Sequence, residues 1–246
     1  MEEIDIKKDA FRKRWASYFD LLGFSDLVQT KGELSVFDTI TTALEEFNRK
    51  RNPNDHLIDR MWFSDSFILY SQGASDIDFS CLEQVSRHFF LSLIQKEIPV
   101  RGALAFGELY ADKDNNILFG KALLEAYKYS ENQDWIGFIL TISAEKQMEA
   151  VNLLAQKRFN YRKSIIPWKI DPEKNSEHKE HYPESLFACE FLHQETGRDP
   201  CVEILSQLEE RALLPEIRRK YRNSIEFIQG YSKKINGTKP DSKLFQ

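Results

Sequence analysis

The sequence predicts an α+β protein: a ferredoxin-like plan with helices covering a mostly antiparallel sheet and a helical stretch at the C-terminal end. Three observations carry that expectation. Short runs rich in aromatic and β-branched residues alternate with longer runs whose apolar residues recur at helical spacing. Glycine, asparagine and aspartate punctuate the junctions. The elements then fall in the order strand, helix, two strands, helix, strand pair, helix, strand.

Residues 1 to 13 read as a polar lead-in, and Trp15 to Leu22 clusters aromatics as a buried strand does, with Asp20 near its end. Gly23 permits a tight turn, after which Ser25 and Asp26 are expected to cap a helix. Apolar spacing from Leu27 to about Lys50 predicts two helical pieces divided at Gly32, followed by a loop over Arg51 to Asp55. His56 to Phe63 and Ser66 to Tyr70 predict a hairpin with Ser64 and Asp65 at its turn. A long amphipathic helix is expected over Ile77 to Lys96, through Phe79, Leu82, Val85, Phe89, Leu93 and Ile94.

Pro99 to Tyr110 reads as a strand carrying two glycines, turned back by Asp112 to Asn116 into Ile117 to Phe119. Gly120 then opens a helix over Lys121 to Glu131. Trp135 to Ile142 is expected as a further strand, with Ser143 capping a helix to about Leu154. Residues 155 to 185 look irregular and Ser185 to Phe191 strand-like; Cys201 to Leu214 and Pro215 to Lys234 look helical, with Pro215 in a first turn.

At 246 residues, 41% hydrophobic and 30% charged, the chain fits a soluble globular protein that can bury a good core. Net charge is -5 and no basic cluster is dense enough to track a nucleic-acid backbone, although Arg218 to Arg222 is locally positive. A charged N-terminus and the lack of any long apolar run point to the cytoplasm and away from a membrane. Cys81, Cys189 and Cys201 are too few and too widely spaced for a disulfide framework or a zinc knuckle. The pair His178 and His181 has a possible metal spacing, but its setting is that of a solvated loop.

The chemistry-bearing oddity occurs twice. Asp20 lies inside Tyr18-Phe19-Asp20-Leu21-Leu22-Gly23-Phe24-Ser25, and Asp65 inside Met61-Trp62-Phe63-Ser64-Asp65-Ser66-Phe67-Ile68. A carboxylate flanked by strand formers is costly to desolvate without a cation or hydrogen bonds beside it. Two of them suggest one shared site holding divalent metal at the phosphates of a nucleotide. Magnesium or manganese suits such hard oxygen ligands.

These residues, in this order, resemble the class III nucleotidyl cyclases over roughly residues 14 to 145. In that family a first strand ends in a metal-binding Asp followed by Gly-Phe, as in Asp20-Leu21-Leu22-Gly23-Phe24, and a second metal Asp sits in a hairpin, as Asp65 does. A later Arg-x-Gly strand is similar to Arg101-Gly102-Ala103-Leu104-Ala105-Phe106-Gly107, in a looser glycine register, and Gly120 matches a glycine opening the next helix. The resemblance implies the cyclase fold, a domain over 14-155 after the 1-13 lead-in, and an extension over 156-246. It implies a homodimer whose chains share each site. Asp20, Asp65 and the Leu21 carbonyl would hold two divalent ions, Mn2+ or Mg2+, and the Leu22, Gly23, Phe24 and Ser25 amides would cradle phosphates.

The departures from that family are informative. Met61 stands where a purine-reading Lys or Glu is usual, Ile117 where a base-reading Asp or Cys is usual, and Leu124 and Lys128 where the transition-state Asn and Arg belong. With both aspartates kept, the combination is similar to the bacterial Pycsar pyrimidine cyclases, short stand-alone enzymes that answer phage infection by making cyclic CMP or cyclic UMP for a separate effector. Met61, Ile117 and Leu124 would form an apolar slot for a small base, or simply core. Lys128 is expected to replace the arginine, and Lys121 to bind substrate, with a solvated helix face as the alternative for both. Arg101 is expected on phosphate or on a structural carboxylate, and Tyr127 and Tyr129 in stacking, a dimer contact or plain burial. Two rival readings stand beside the enzyme. One is a catalytically silent cyclase-fold module that binds nucleotide or protein. The other is a polymerase-like or diguanylate-cyclase-like palm, against whose second form the turn at residues 63 to 66 speaks, since it lacks a Gly-Gly-Asp-Glu-type sequence.

Overall fold

A computed structural model of the chain describes residues 11–50, 58–150, 165–169, 185–189 and 200–237. The loop expected over Arg51 to Asp55, the His178 and His181 pair and Leu154 lie outside them. The fold is α+β, and a mixed but mostly antiparallel sheet of eight strands is its frame.

Strand β1 (Arg12–Leu21) starts earlier than expected and lies at the centre of the sheet. Helices α1 (Phe24–Lys31) and α2 (Glu33–Lys50) follow, parted at Gly32 as the spacing indicated. Strands β2 (Ile58–Phe63) and β3 (Ser66–Ser71) form the hairpin. Helix α3 (Asp76–Gln95) begins at a capping box between Ser75 and Asp78. Then come β4 (Val100–Asp112), β5 (Ile117–Gly120), α4 (Lys121–Glu131), β6 (Phe138–Leu140) and α5 (Ile142–Ala150). The remainder is β7 (Ile165–Lys169), β8 (Ser185–Cys189), α6 (Pro200–Arg211) and α7 (Pro215–Gly237). The sheet order is β2-β3-β1-β4-β6-β8-β7, with β5 paired to β4, and among the described residues β4 with β6 is the one parallel pair.

Three sequence expectations need correction. Ser25 and Asp26 do not cap α1: the cap position is Gly23 in the left-handed conformation, and no side chain bonds the first turn. The strand expected over Trp135 to Ile142 shrinks to three residues. Trp135 packs edge-on against Phe227, and the Ile136 amide donates to Ser224 Oγ at 2.7 Å, so both are committed to α7 instead of the sheet. Ser143 lies inside α5, where its Oγ accepts the Phe106 amide at 2.9 Å. An unanticipated strand, β7, occupies part of the stretch read as irregular.

Strand alternation divides β1 between two environments. Trp15, Phe19 and Leu21 enter the main core with Phe79, Phe89 and Phe138, and Ser17 Oγ accepts from Ser86 Oγ at 2.8 Å inside it, pinning α3 to β1. The opposite face presents Arg14, Ala16, Tyr18 and Asp20, in register with Tyr70, Ile68 and Ser66 of β3 and with Gly107, Ala105, Ala103 and Arg101 of β4. Helix α4 packs over β1 and β4 on this second face. Helices α6 and α7 join the main core through Cys201, Leu205, Tyr221, Phe227 and Ile228. No helix among the described residues is long and apolar enough to cross a membrane.

Close packing beside the polar end of β1 depends on Gly102. A Cβ there would lie 2.3 Å from the Phe19 ring and 2.9 Å from the Tyr18 carbonyl oxygen. Neither neighbour can retreat, because one is core and the other backbone. Gly102→Ala should therefore destabilise the fold by about 1–3 kcal/mol, as overpacked cores do. A urea midpoint equal to the parent's would show that β1 and β4 are not held this tightly.

Candidate functional site

The site forms where β1 runs out. Register sets Phe63, Ser66, Asp20 and Arg101 in one row across β2, β3, β1 and β4, all on the face that α4 partly covers. The hairpin turn is tied to the end of β1 by the Leu21 amide, which donates to the Asp65 carbonyl at 3.0 Å. Ser64, with φ of 55°, makes the turn that leaves Asp65 beside Asp20. The two carboxylates are close enough to repel each other.

Asp20 is nearly enclosed, with 13% of its side chain exposed, and one of its oxygens is gripped by Arg101. Arg101 Nε and Nη2 both donate to Asp20 Oδ2, at 2.9 and 2.8 Å. The same guanidinium reaches Glu131 at the end of α4, through Nη2 to Oε2 at 2.9 Å and Nη1 to the carbonyl at 2.6 Å. Of the two roles expected for Arg101, carboxylate pairing is the one present. Burial raises the Asp20 pKa; Arg101 opposes that rise, while Glu131 and Asp65 add to it. Beside this network Tyr18 Oη and Ser66 Oγ share a 2.7 Å hydrogen bond, and burial pushes the Tyr18 hydroxyl up to about 12.

The turn after β1 supplies backbone donors. Gly23, with φ of 66°, takes the left-handed conformation that glycine accepts without penalty, and a Cβ there would meet nothing within 4 Å. The Gly23, Phe24 and Ser25 amides precede the first helical bond, Leu27 N to Gly23 O, and no side chain caps them. The Leu22 amide leaves the expected cradle, because it donates to the Pro99 carbonyl at 2.9 Å.

Divalent metal fits this donor set. Asp20 Oδ1 and the Asp65 carboxylate make no hydrogen bond or ion pair among the described residues, and their mutual repulsion is what a cation between them would relieve. No group of three or more acidic, His or Cys side chains gathers among the described residues. The protein thus offers two hard carboxylates, with the Leu21 carbonyl adjacent in sequence. Such a set suits an ion that completes its shell with water and substrate phosphate.

Other expected residues stand elsewhere. Met61 is half-buried on the Asp20 face, opposite Ile68. Gly120 pairs with Leu109, eight residues along β4 from Arg101, so the start of α4 lies about 26 Å from Asp20 at strand rise. Lys121 is therefore not brought to Asp20 within the chain. It is 84% exposed and pairs with Glu108 at 3.3 Å. Ile117 and Leu124 are both exposed. Lys128 is exposed on the last turn of α4, and Tyr127 stands edge-on to Tyr18 with ring centroids 5.3 Å apart. Tyr129 is buried.

Sequence reasoning missed Glu131 and Lys220. The only signal for Lys220 was the positive run Arg218 to Arg222. On α7 it sits half-buried, with its proton affinity lowered chiefly by burial and by Arg101, against Asp134, Asp20 and Glu131.

No protein-family model matches the chain, and neither does any curated protein. Solved structures similar to it include the adenylyl cyclase CyaB from P. aeruginosa, at TM-score 0.49 and 13% identity over 75% of this chain and 97% of that one. A bacterial light-regulated adenylyl cyclase follows at TM-score 0.49 and 11% identity, over 82% and 99%. The monomeric guanylyl cyclase domain of the RhoGC fusion protein from the aquatic fungus Blastocladiella emersonii is similar at TM-score 0.48 and 10% identity, over 73% and 95%.

The charge network has consequences for stability. Arg101→Met would strand two carboxylates and should cost about 3–5 kcal/mol in urea unfolding. Because Asp20 holds its proton more tightly folded than unfolded, stability falls as pH rises from the ordinary aspartate value through the raised one. In metal-free buffer Asp20→Asn, which leaves Arg101 on Glu131, should flatten that fall on the alkaline side of the ordinary aspartate value. An unchanged slope in the variant would mean that another group sets it.

Proposed function

We propose that the chain is a metal-dependent nucleotidyl cyclase that converts a pyrimidine nucleoside triphosphate, UTP or CTP, to its 3′,5′-cyclic monophosphate and pyrophosphate. The observation that carries this reading is the placement of Asp20 and Asp65 together at the end of β1, beside the uncapped start of α1. Paired carboxylates next to free helix-start amides form a place for a polyphosphate and its cations.

In this reading Asp20, Asp65 and the Leu21 carbonyl hold magnesium or manganese, which supplies acidification of the ribose 3′-hydroxyl and charge neutralisation at the leaving group. The Gly23, Phe24 and Ser25 amides bind phosphate oxygens and orient the tail. The 3′-oxygen forms its bond to the α-phosphorus as the bond from that phosphorus to the bridging β-phosphate oxygen breaks; the hydroxyl proton passes to solvent and pyrophosphate departs. Lys128 stands against the charge that develops on the α-phosphate.

The geometry supports a homodimer. Ile117, Lys121 and Leu124 sit on or near the start of α4, too far along β4 to serve Asp20 of their own chain, so they would meet the site of a second copy related by a two-fold axis. Phe63, Phe119, Leu124 and Tyr127 are exposed apolar side chains that such an interface would cover. An apolar Met61, Ile117 and Leu124 favour a small base over one read by charged groups, and the sequence resemblance to the Pycsar cyclases supports a product that acts in cytoplasmic anti-phage signalling through a separate effector. A second reading, a silent nucleotide-binding module, is favoured by the Arg101 grip on Asp20.

Incubation of the protein with manganese and each of UTP, CTP, ATP and GTP, read by mass spectrometry, should yield cyclic UMP or cyclic CMP alone. Asp20→Ala and Asp65→Ala should each abolish the product, a loss of at least about a hundredfold for a group acting on transition-state charge. Binding of nucleotide without turnover of any of the four would establish the silent module, and full activity in either variant would remove the metal assignment.

A further inference from the structure

Helix α7 carries no motif, yet it is wired to the site. Asn223 Nδ2 donates to the Asp134 carbonyl at 2.8 Å, Ser224 Oγ accepts the Ile136 amide at 2.7 Å, and Arg219 grips both Asp134 oxygens at 2.6 and 3.0 Å. All three anchors fall just past Glu131, the residue that holds Arg101. Tyr221 is buried on the other side. Lys220 lies on the same stretch of helix, half-buried between Arg219 and Asn223, and near enough to Arg101, Asp20, Glu131 and Asp134 to feel their charges.

Each of those carboxylates already has a cation. Asp20 and Glu131 are held by Arg101, and Asp134 by Arg219. Lys220 forms no ion pair or hydrogen bond through its ammonium among the described residues. The ammonium nitrogen is not among the sealed, partnerless polar atoms of the described residues, so its three donors stay open to an anion with several acceptors. Its position beside Arg101 and Asp20 limits that anion to whatever occupies the metal-binding end of β1.

We infer that Lys220 binds the terminal phosphates of the nucleoside triphosphate, and the pyrophosphate they become, from the same chain that supplies Asp20. This rests on the polyphosphate site proposed above and extends it to a segment outside the cyclase-like stretch. Lys220 is a phosphate-binding residue here: it neutralises the tail in the bound substrate as well as the leaving group. Its loss should therefore weaken binding more than it slows the chemical step.

The test uses the full chain with Lys220→Met, which keeps the aliphatic stem, and Lys220→Arg, which keeps the charge; thermal melts confirm that both fold, and Lys220→Gln replaces the first if it does not. Calorimetric titration with inorganic pyrophosphate in magnesium buffer should give a dissociation constant roughly tenfold or more higher for Lys220→Met than for the parent, the loss expected of one charge-assisted hydrogen bond, and one restored in Lys220→Arg. With a turned-over nucleotide, KM and the inhibition constant of pyrophosphate should rise together while kcat changes by less than about threefold. Equal pyrophosphate affinity in parent and Lys220→Met overturns the inference and leaves the cyclase reading intact. Lys220-dependent pyrophosphate binding without turnover of any nucleotide removes the cyclase reading and retains the phosphate site.

Discussion

One guanidinium holds the working end of this molecule together. Arg101 bridges Asp20 on β1 and Glu131 on α4 with four contacts of 2.9 Å or less, in a setting where only 10% of its own side chain meets solvent. The bridge joins the two central strands to the helix that covers them. Through the residues after Glu131 it also reaches α7, because Asp134 and Ile136 are where that helix is moored. Removing any one charge from such a network exposes the others to a medium that solvates them poorly, so its members stand or fall as a group.

The constraint also explains why the two faces of the sheet differ. The main core is filled by aromatic side chains, including Trp15, Phe19, Phe67, Phe89 and Phe138. The other face carries small residues, Ala16 and Ala105, that let α4 settle against it through Ala122 and Ala126. Close approach of α4 is what brings Glu131 down to Arg101. At the far end of the same face, Arg14 lies over the Tyr70 ring and Lys113 pairs with Asp59, so buried charge recurs at both ends of the strands while the middle is apolar.

Much of this was legible because local chemistry and tertiary placement agreed. The turn at Ser64 and Asp65, the break at Gly32 and the first-turn Pro215 each depend on a few adjacent residues, and each is where the spacing put it. That Asp20 needs a partner was legible for a different reason, since a carboxylate among strand formers must be compensated, and the partner the fold supplies is Arg101. What stayed hidden depended on distant contacts. Trp135 and Ile136 look like strand residues until α7 claims them. Strand β7 was obscured by Pro167, which pairing to a single neighbour at the sheet edge accommodates. Glu131 and Lys220 have no local signature, because their meaning comes from Arg101.

The same long reach governs the order in which the molecule can be made. Asp20 meets its guanidinium 81 positions later in the chain, and Asp134 waits 85 positions for Arg219. Synthesis runs from the N-terminus, so β1 emerges with its carboxylate uncompensated and stays so until β4 arrives. Contacts this distant are reached late and slow the search for the native state. The Asp20–Arg101–Glu131 bridge can close once α4 has been made, whereas Asp134 has its guanidinium only when α7 follows.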